Sequence, residues 1–255
     1  MTPFVREPPF TVASAQEADW FEEWFGEDYL HIYQHRDETE AESVIELIST
    51  NLVGRQIDAV LDLACGAGRH SKVLEERWWT VGLDLSMSLL KIARRETRDA
   101  PYVRADMREL PFAADTFDLV VNLFTSFGYF DDDREHVRVL GCLGDSMKVG
   151  GTLVIDFLNA AHVRQSLVSY DERVENGITI EQHRRISPDN RFVEKKIRLR
   201  EREREYIERV RLLSPKDLER MLITAGFQLT KVFGDYAGTT WSESSPRTIL
   251  FATRQ

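Results

Sequence analysis

The chain has 255 residues, 42% hydrophobic and 30% charged, and its 33 basic and 43 acidic side chains leave a formal charge of −10 at pH 7. That balance supports a sizeable core, argues against disorder, and offers no global basic field to nucleic acid or an acidic membrane. Two cysteines, Cys65 and Cys142, exclude a disulfide framework and a cysteine-based zinc site.

Residues 1–15 lack the basic start and apolar run of a secretory leader. No stretch approaches the roughly 20 apolar residues of a membrane span, so a cytoplasmic protein without membrane contact is expected. The segment Ala15–Ser49 reads as helix, with Trp20, Phe21, Trp24 and Phe25 on one face and Tyr29, Ile32 and Tyr33 following. Residues 1–56 are therefore expected to form a helical cap, which either packs on the sheet or closes over a ligand with Tyr29 and Tyr33 as its polar tips. His31 and His35 share a helix face, but without a third ligand no metal is expected.

Beyond residue 56, apolar runs alternate with helical patterns, as in a parallel sheet covered by helices. Strands are predicted at Ile57–Leu63, Thr80–Asp84, Tyr102–Arg104, Phe117–Leu123, Thr152–Phe157, Gln228–Phe233 and Thr248–Thr253. Helices are predicted at Gly68–Arg77, Met87–Arg98, Asp133–Met147 and Pro215–Ala225, the last introduced by Ser214 and stopped by Gly226. Between Phe157 and Ser214 the alternation stops. Asn176-Gly177 and Ser187-Pro188-Asp189-Asn190 are turn signals, which make Arg173–Leu213 an antiparallel meander. Within it, the charge alternation from Arg198 to Glu205 predicts one two-sided strand over a helix. The expected organisation is α/β, with a core unit of residues 57–165 and 214–255 and an inserted unit of residues 166–213.

The sharpest signal is Asp62-Leu63-Ala64-Cys65-Gly66-Ala67-Gly68, where an apolar strand meets a helix. Gly66 and Gly68 permit backbone angles and close approach that a side chain would block. At the end of the next strand, in Val81-Gly82-Leu83-Asp84-Leu85-Ser86, Asp84 is placed to accept hydrogen bonds from both hydroxyls of a ribose. A dinucleotide would favour a third glycine where Ser71 stands, and the carboxylate of Asp62 beside the turn suits a cationic ligand better than a pyrophosphate.

Here the chain resembles the class I S-adenosylmethionine-dependent methyltransferases, over roughly Ile57–Phe157 and again from Ser214 to Gln255. The glycine turn, from Asp62 through Ala64 to Gly68, is similar to the family's first motif, and Asp84 with Leu85 to its ribose-binding end. Ala105-Asp106-Met107 is similar to the stretch that receives adenine. Asn122-Leu123-Phe124-Thr125-Ser126-Phe127-Gly128-Tyr129 is similar to the fourth-strand motif beside the methyl group. Lys148-Val149-Gly150-Gly151-Thr152-Leu153 resembles a family turn, with Val149 where proline is usual. The resemblance implies a doubly wound, Rossmann-like sheet of seven mostly parallel strands in which only the last is antiparallel. It implies S-adenosyl-L-methionine as cofactor. The meander is similar to the insert of small-molecule N-methyltransferases of the glycine and amino-sugar types.

Each candidate has a plainer alternative. The glycines could simply make a tight turn, Asp84 could cap the next helix, Asp62 could brace the turn, and Asp106 and Met107 could be a surface acid and a core residue. Arg69 and His70 fall in the first turn of a helix, where positive side chains oppose the macrodipole. Arg69 therefore pairs either with a ligand carboxylate or with an acid on the N-terminal helix. Phe127, Tyr129 and Phe130 contact substrate or fill the core, and the acidic run Asp131-Asp132-Asp133 starts a helix. The meander's charges carry no catalytic assignment.

An amine acceptor needs only a route for its proton, whereas a hydroxyl needs a tuned base. No Asp–His pair or Asn-Pro-Pro-Tyr box accompanies the fourth strand, which leans toward an amine. Asn122 is a candidate to orient the acceptor, and His136, Asn159 and His162 are candidates to take a proton or orient it. The partner expected is a small molecule. A tRNA or rRNA acceptor and a non-catalytic nucleoside-binding module are the alternatives, and residues 171–211, with 12 basic and 10 acidic side chains, are too weakly positive to favour RNA. An exposed meander leaves room for a homodimer.

Overall fold

The computed structural model describes Phe25, Tyr29 and residues 38–255. The expectations for Trp20, Phe21, Trp24, His31, Tyr33 and His35 lie outside the described residues. Helix α1 (Glu38–Asn51) turns Ala41, Val44, Ile45, Leu47 and Ile48 inward, an apolar stripe at helical spacing. The strands that follow are β1 (Ala59–Leu63), β2 (Trp79–Asp84), β3 (Tyr102–Arg104), β4 (Phe117–Asn122) and β5 (Met147–Leu158). All five residues of β1 are buried, because a strand covered on both faces has no solvent side. Between the strands lie α2 (Arg69–Leu74), α3 (Met87–Glu96) and α4 (Asp133–Ser146), and α5 (Ala160–Ser166) follows β5.

The chain then forms β6 (Tyr170–Glu175), β7 (Ile178–Ile186), β8 (Phe192–Leu199) and β9 (Arg204–Arg211), before α6 (Pro215–Thr224), β10 (Phe227–Phe233) and β11 (Arg247–Arg254). The main sheet runs in the order β10-β11-β5-β4-β1-β2-β3, and β11 is antiparallel to both its neighbours while the other pairings are parallel. This is the doubly wound arrangement expected. Helices α1 and α2 pack with Val60, Leu119, Val121 and Val154 on one face, and α4 and α6 with Leu61, Leu63, Val120 and Leu153 on the other. Helix α6 begins as the sequence implies. Ser214 and Asp217 form a reciprocal capping box, with Pro215 in the first turn.

Strands β6–β9 make a separate antiparallel sheet of four, longer at its start than Arg173 implied. Asn176 and Gly177 both take positive φ, 51° and 77°, as a two-residue hairpin turn requires. The run from Arg198 to Glu205 is not one strand. It breaks after Leu199 into a 3-10 turn at Arg200–Arg202, with Glu203 at φ 51°, and β9 then begins. The alternating charges serve two strands instead of one: Lys196 of β8 pairs across the hairpin with Glu205 of β9 at 2.9 Å. The acidic run before α4 does more than start the helix. Asp132 caps it, while Asp131 pairs with Arg209 and Asp133 pairs with Arg211 at 2.6 Å, clasping β9 to the core.

Candidate active site

The loops that leave β1, β2, β3 and β4 surround a cavity of about 950 Å³. It sits over the point where the sheet order reverses between β1 and β4, where open α/β sheets place their ligands. Ala64 and Gly66 line it from the first loop, Asp84 and Leu85 from the second, Asp106 and Met107 from the third. Arg69 and His70 reach it from the start of α2.

Asp84 ties two of these loops together. One carboxylate oxygen accepts the Gly66 N–H at 2.8 Å and the other accepts the Ser86 N–H at 2.8 Å. Burial pushes its pKa up, against the pull of the Ser86, Gly66 and Leu85 backbone donors. A carboxylate has about four acceptor positions, so two backbone bonds leave capacity for a diol. The same strand end continues into α3, capped by Ser86 and not by Asp84.

The two glycines have different duties. Gly66, at φ 56°, lines the cavity, and a Cβ there would meet nothing closer than Leu89 at 3.9 Å. Gly68, at φ 83°, does not line it. A Cβ there would lie 2.8 Å from Ala93 Cβ and 2.9 Å from the Tyr102 hydroxyl, so this glycine lets the turn pack on α3 and β3. Asp62 also points away from the cavity, toward α2, and accepts from Ser71 Oγ at 2.6 Å. Burial raises its pKa to about 7. Ser71, where a dinucleotide site would prefer glycine, is thus the partner of that acid.

Arg69 takes the alternative of an acid on the N-terminal helix. Its guanidinium binds Glu40 of α1 at 2.8 Å and lies 5.0 Å from the Phe124 ring centroid. Asp106 is held by Arg108, whose Nε and Nη2 donate to it at 3.0 and 2.6 Å. Burial opposes ionisation of Asp106, but the bonds from Arg108 prevail and keep its carboxyl below the ordinary range.

The four acceptor-side candidates do not line the cavity. Asn122 is buried at the end of β4 and donates to the Leu63 carbonyl at 3.1 Å, bracing β1. His136 lies in the core between Phe127 and Phe130, with ring centroids at 5.0 and 5.3 Å, and its Nδ1 donates to the Asp132 carbonyl at 3.1 Å. Burial, then the nearby Arg211 charge, depress its pKa to about 4. Asn159 caps α5 and donates to the carbonyls of Ser242 and Ser245 at 3.0 and 2.7 Å, which makes it a clasp for the loop before β11. His162 sits on α5, half-buried and away from the cavity.

Other residues complete the cavity lining. Tyr129 and Phe130 follow β4, Phe25 and Tyr29 come from the N-terminal segment, and Lys195, Glu208 and Val210 come from the inserted sheet. Lys195 and Glu208 are cross-strand neighbours and form an ion pair at 3.1 Å. In the sequence their charges are lost among 20 others in residues 171–211. Their signal was parity: Lys195 shares a face with Ile197 and Leu199, which are buried.

Comparison with known proteins agrees with the geometry. Residues 60–151 match the model of a methyltransferase domain. The chain is 28% identical over 148 residues to a dTDP-3-amino-3,4,6-trideoxy-alpha-D-glucopyranose N,N-dimethyltransferase of Streptomyces venezuelae, covering 58% of each chain. It is 37% identical over 154 residues to a malonyl-[acyl-carrier protein] O-methyltransferase of Enterobacter lignolyticus, covering 58% of this chain and 59% of that one. The chain thus spans less than two thirds of the length of these curated relatives. Its fold matches the crystal structure of a sugar N-methyltransferase from Streptoalloteichus with a TM-score of 0.70 at 24% identity, covering 90% of this chain and 94% of that one. Residues 60–151 thus match a methyltransferase domain, and the chain shares the fold of that sugar N-methyltransferase. Among the described residues, no helix is long and apolar enough to cross a membrane.

Proposed function

We propose that the cavity binds S-adenosylmethionine and that the chain transfers its methyl group to a small molecule, most directly an amine nitrogen. The observation that carries this reading is Asp84, which joins the β1 and β2 loops through Gly66 and Ser86 and still has acceptor capacity toward the cavity. Asp84 would hold the ribose diol, and Leu85 and Met107 would wall the adenine. The cofactor supplies a methyl group already activated by its sulfonium.

The chain's remaining task is positioning, which can supply on the order of 7–11 kcal/mol. Phe25 and Tyr29 line the cavity from the N-terminal segment and would help to exclude water there. The Glu208 carboxylate would accept an N–H of the acceptor and take the proton that methylation releases. Lys195 pairs with that carboxylate at 3.1 Å and would itself meet an acceptor oxygen. The N-methylation in the names of two similar proteins supports the amine. The likeness to a malonyl O-methyltransferase favours a second reading, a carboxylate acceptor held by Lys195.

Calorimetry with S-adenosylmethionine tests the cofactor site. A panel of amines, carboxylates and alcohols, scored by S-adenosylhomocysteine release, tests the acceptor. Release with amines supports the proposal. Release confined to carboxylates replaces it with the second reading, and no cofactor binding overturns both.

A further inference from the structure

The first residues beyond β4 carry an unusual backbone. Phe124 and Thr125, consecutive and neither of them glycine, take φ of 60° and 65°. Left-handed backbone is costly for L-residues and above all for a β-branched one, so it persists only where surrounding structure enforces it. The enforcement is visible. The Phe124 N–H donates to Asp156 Oδ2 at 3.0 Å, and the Thr125 N–H donates to the Asp156 main-chain carbonyl at 2.9 Å. Arg247 reaches from β11 with a forked grip, Nε to Asp156 Oδ1 at 2.8 Å and Nη2 to Thr125 Oγ1 at 3.0 Å. The Tyr236 hydroxyl donates to Asp156 Oδ2 at 2.8 Å. Asp156 is fully buried, and its carboxylate answers three donors from three parts of the chain.

This cluster stands outside the cavity, yet what it holds stands inside it. Phe124, Thr125 and Ser126 line the wall, whereas Asp156, Tyr236 and Arg247 do not. Two guanidiniums approach the Phe124 ring, that of Arg69 at 5.0 Å and that of Arg247 at 5.4 Å from its centroid. Sheet order says which part of a ligand this wall meets. With the sugar at Asp84 on β2, the ligand extends across the β1 turn, and β4 is the next strand beyond. A simple reversal would be cheaper with glycine, which the chain uses at Gly128 with φ 89°. Phe and Thr at these positions indicate that their side chains are wanted in that wall.

We propose that Asp156, Arg247 and Tyr236 are positioning residues that hold the Phe124–Thr125 turn against the reacting end of the bound donor. The clamp thereby sets the fit of the group on the donor's sulfur position without contributing to the grip on its nucleoside. This rests on the reading of the cavity as the donor site. It predicts a difference between two ligands: S-adenosylhomocysteine, which has no group beyond the sulfur, and sinefungin, which carries an amine-bearing carbon there.

The test compares wild type with Arg247→Lys, which keeps the charge but loses the fork, and Tyr236→Phe, which removes one donor to Asp156. Calorimetry should show sinefungin affinity falling about tenfold in Arg247→Lys, and less in Tyr236→Phe, with S-adenosylhomocysteine affinity within about twofold of wild type. Hydrogen exchange should show faster exchange at the Phe124 and Thr125 amides in both variants. Equal losses for both ligands, or unchanged exchange at these amides, would overturn the proposal and leave the cluster as ordinary core. Should wild type bind neither ligand, the donor-site reading fails, while the exchange measurement still decides whether the cluster holds the turn.

Discussion

The two glycines of the first loop offer a test that separates ligand contact from packing. Gly66→Ala and Gly68→Ala each force an alanine into left-handed backbone, a cost of roughly 1–2 kcal/mol, offset by about 0.4–1 kcal/mol of lost unfolded-state freedom. There the similarity ends. At Gly66 the new methyl meets Leu89 at 3.9 Å, an ordinary contact, so the net loss should stay near 1 kcal/mol. At Gly68 it would sit 2.8 Å from Ala93 Cβ and 3.1 Å from Ala93 Cα, so helix α3 itself must move. Overpacking of that kind adds about 1–3 kcal/mol, for a total of roughly 2–4 kcal/mol. Urea unfolding followed by circular dichroism measures both. Calorimetry on the folded proteins should show the reverse order for S-adenosylmethionine: Gly66→Ala, on the cavity wall, loses affinity, and Gly68→Ala retains most of it. A Gly68→Ala protein as stable as Gly66→Ala would refute the assignment of Gly68 to packing.

Three further perturbations address the acids and the buried histidine. Asp84→Ala removes a charged acceptor for two hydroxyls and should weaken S-adenosylmethionine by about 100-fold in calorimetry; unchanged affinity would remove the ribose assignment. Asp62, with its folded pKa raised to about 7, costs stability as pH rises from 4 through 7, on the order of 4 kcal/mol, and Asp62→Asn should abolish that loss. His136, with its folded pKa lowered to about 4, acts in the opposite sense: its stability is full above pH 6.5 and lost as pH falls toward 4, on the order of 3 kcal/mol. The two slopes oppose each other in wild type, so urea midpoints across this range should fall with acid in Asp62→Asn and rise with acid in His136→Asn; parallel profiles in all three proteins would contradict the burial of both groups as titrating sites. Finally, Glu208→Gln should lower turnover of an amine acceptor at least about tenfold with cofactor affinity unchanged, whereas greater damage from Lys195→Met identifies a carboxylate acceptor.

What could be read from the sequence divides by the range of the interaction. The strand–turn–helix at Asp62–Gly68 and the acid at Asp84 lie within one βαβ unit, where local punctuation dictates geometry, and residues 64–107 supply much of the cavity lining. Strands β1, β2, β4 and β5 were legible because each holds an apolar run bounded by turn residues. The Arg198–Glu205 run was misread because period-two alternation continues through a hairpin whenever both strands carry charge, and its turn, at Glu203, has no glycine to announce it. The histidine and asparagine candidates failed for a related reason. A polar residue near a strand end has many ways to be satisfied within the fold, and Asn122, His136 and Asn159 each found a backbone partner.

The wall proposed for the acceptor was least legible, and its construction explains why. It joins Phe25 and Tyr29, the turn at Phe124, and Lys195 with Glu208, segments separated by about 60 to 100 residues that meet only when the inserted sheet docks. Docking itself depends on Asp131 and Asp133 gripping Arg209 and Arg211, one residue beyond Glu208 and Val210 on the opposite parity of β9. Side chains alternate faces along a strand, so the clasp and the cavity use the two faces of the same four residues. Loosening the clasp would therefore displace Glu208 without touching it. Under the proposed function, substitutions on one face of β9 would change the acceptor while the other face preserves the dock, and the loops around Asp84 would be left as they were.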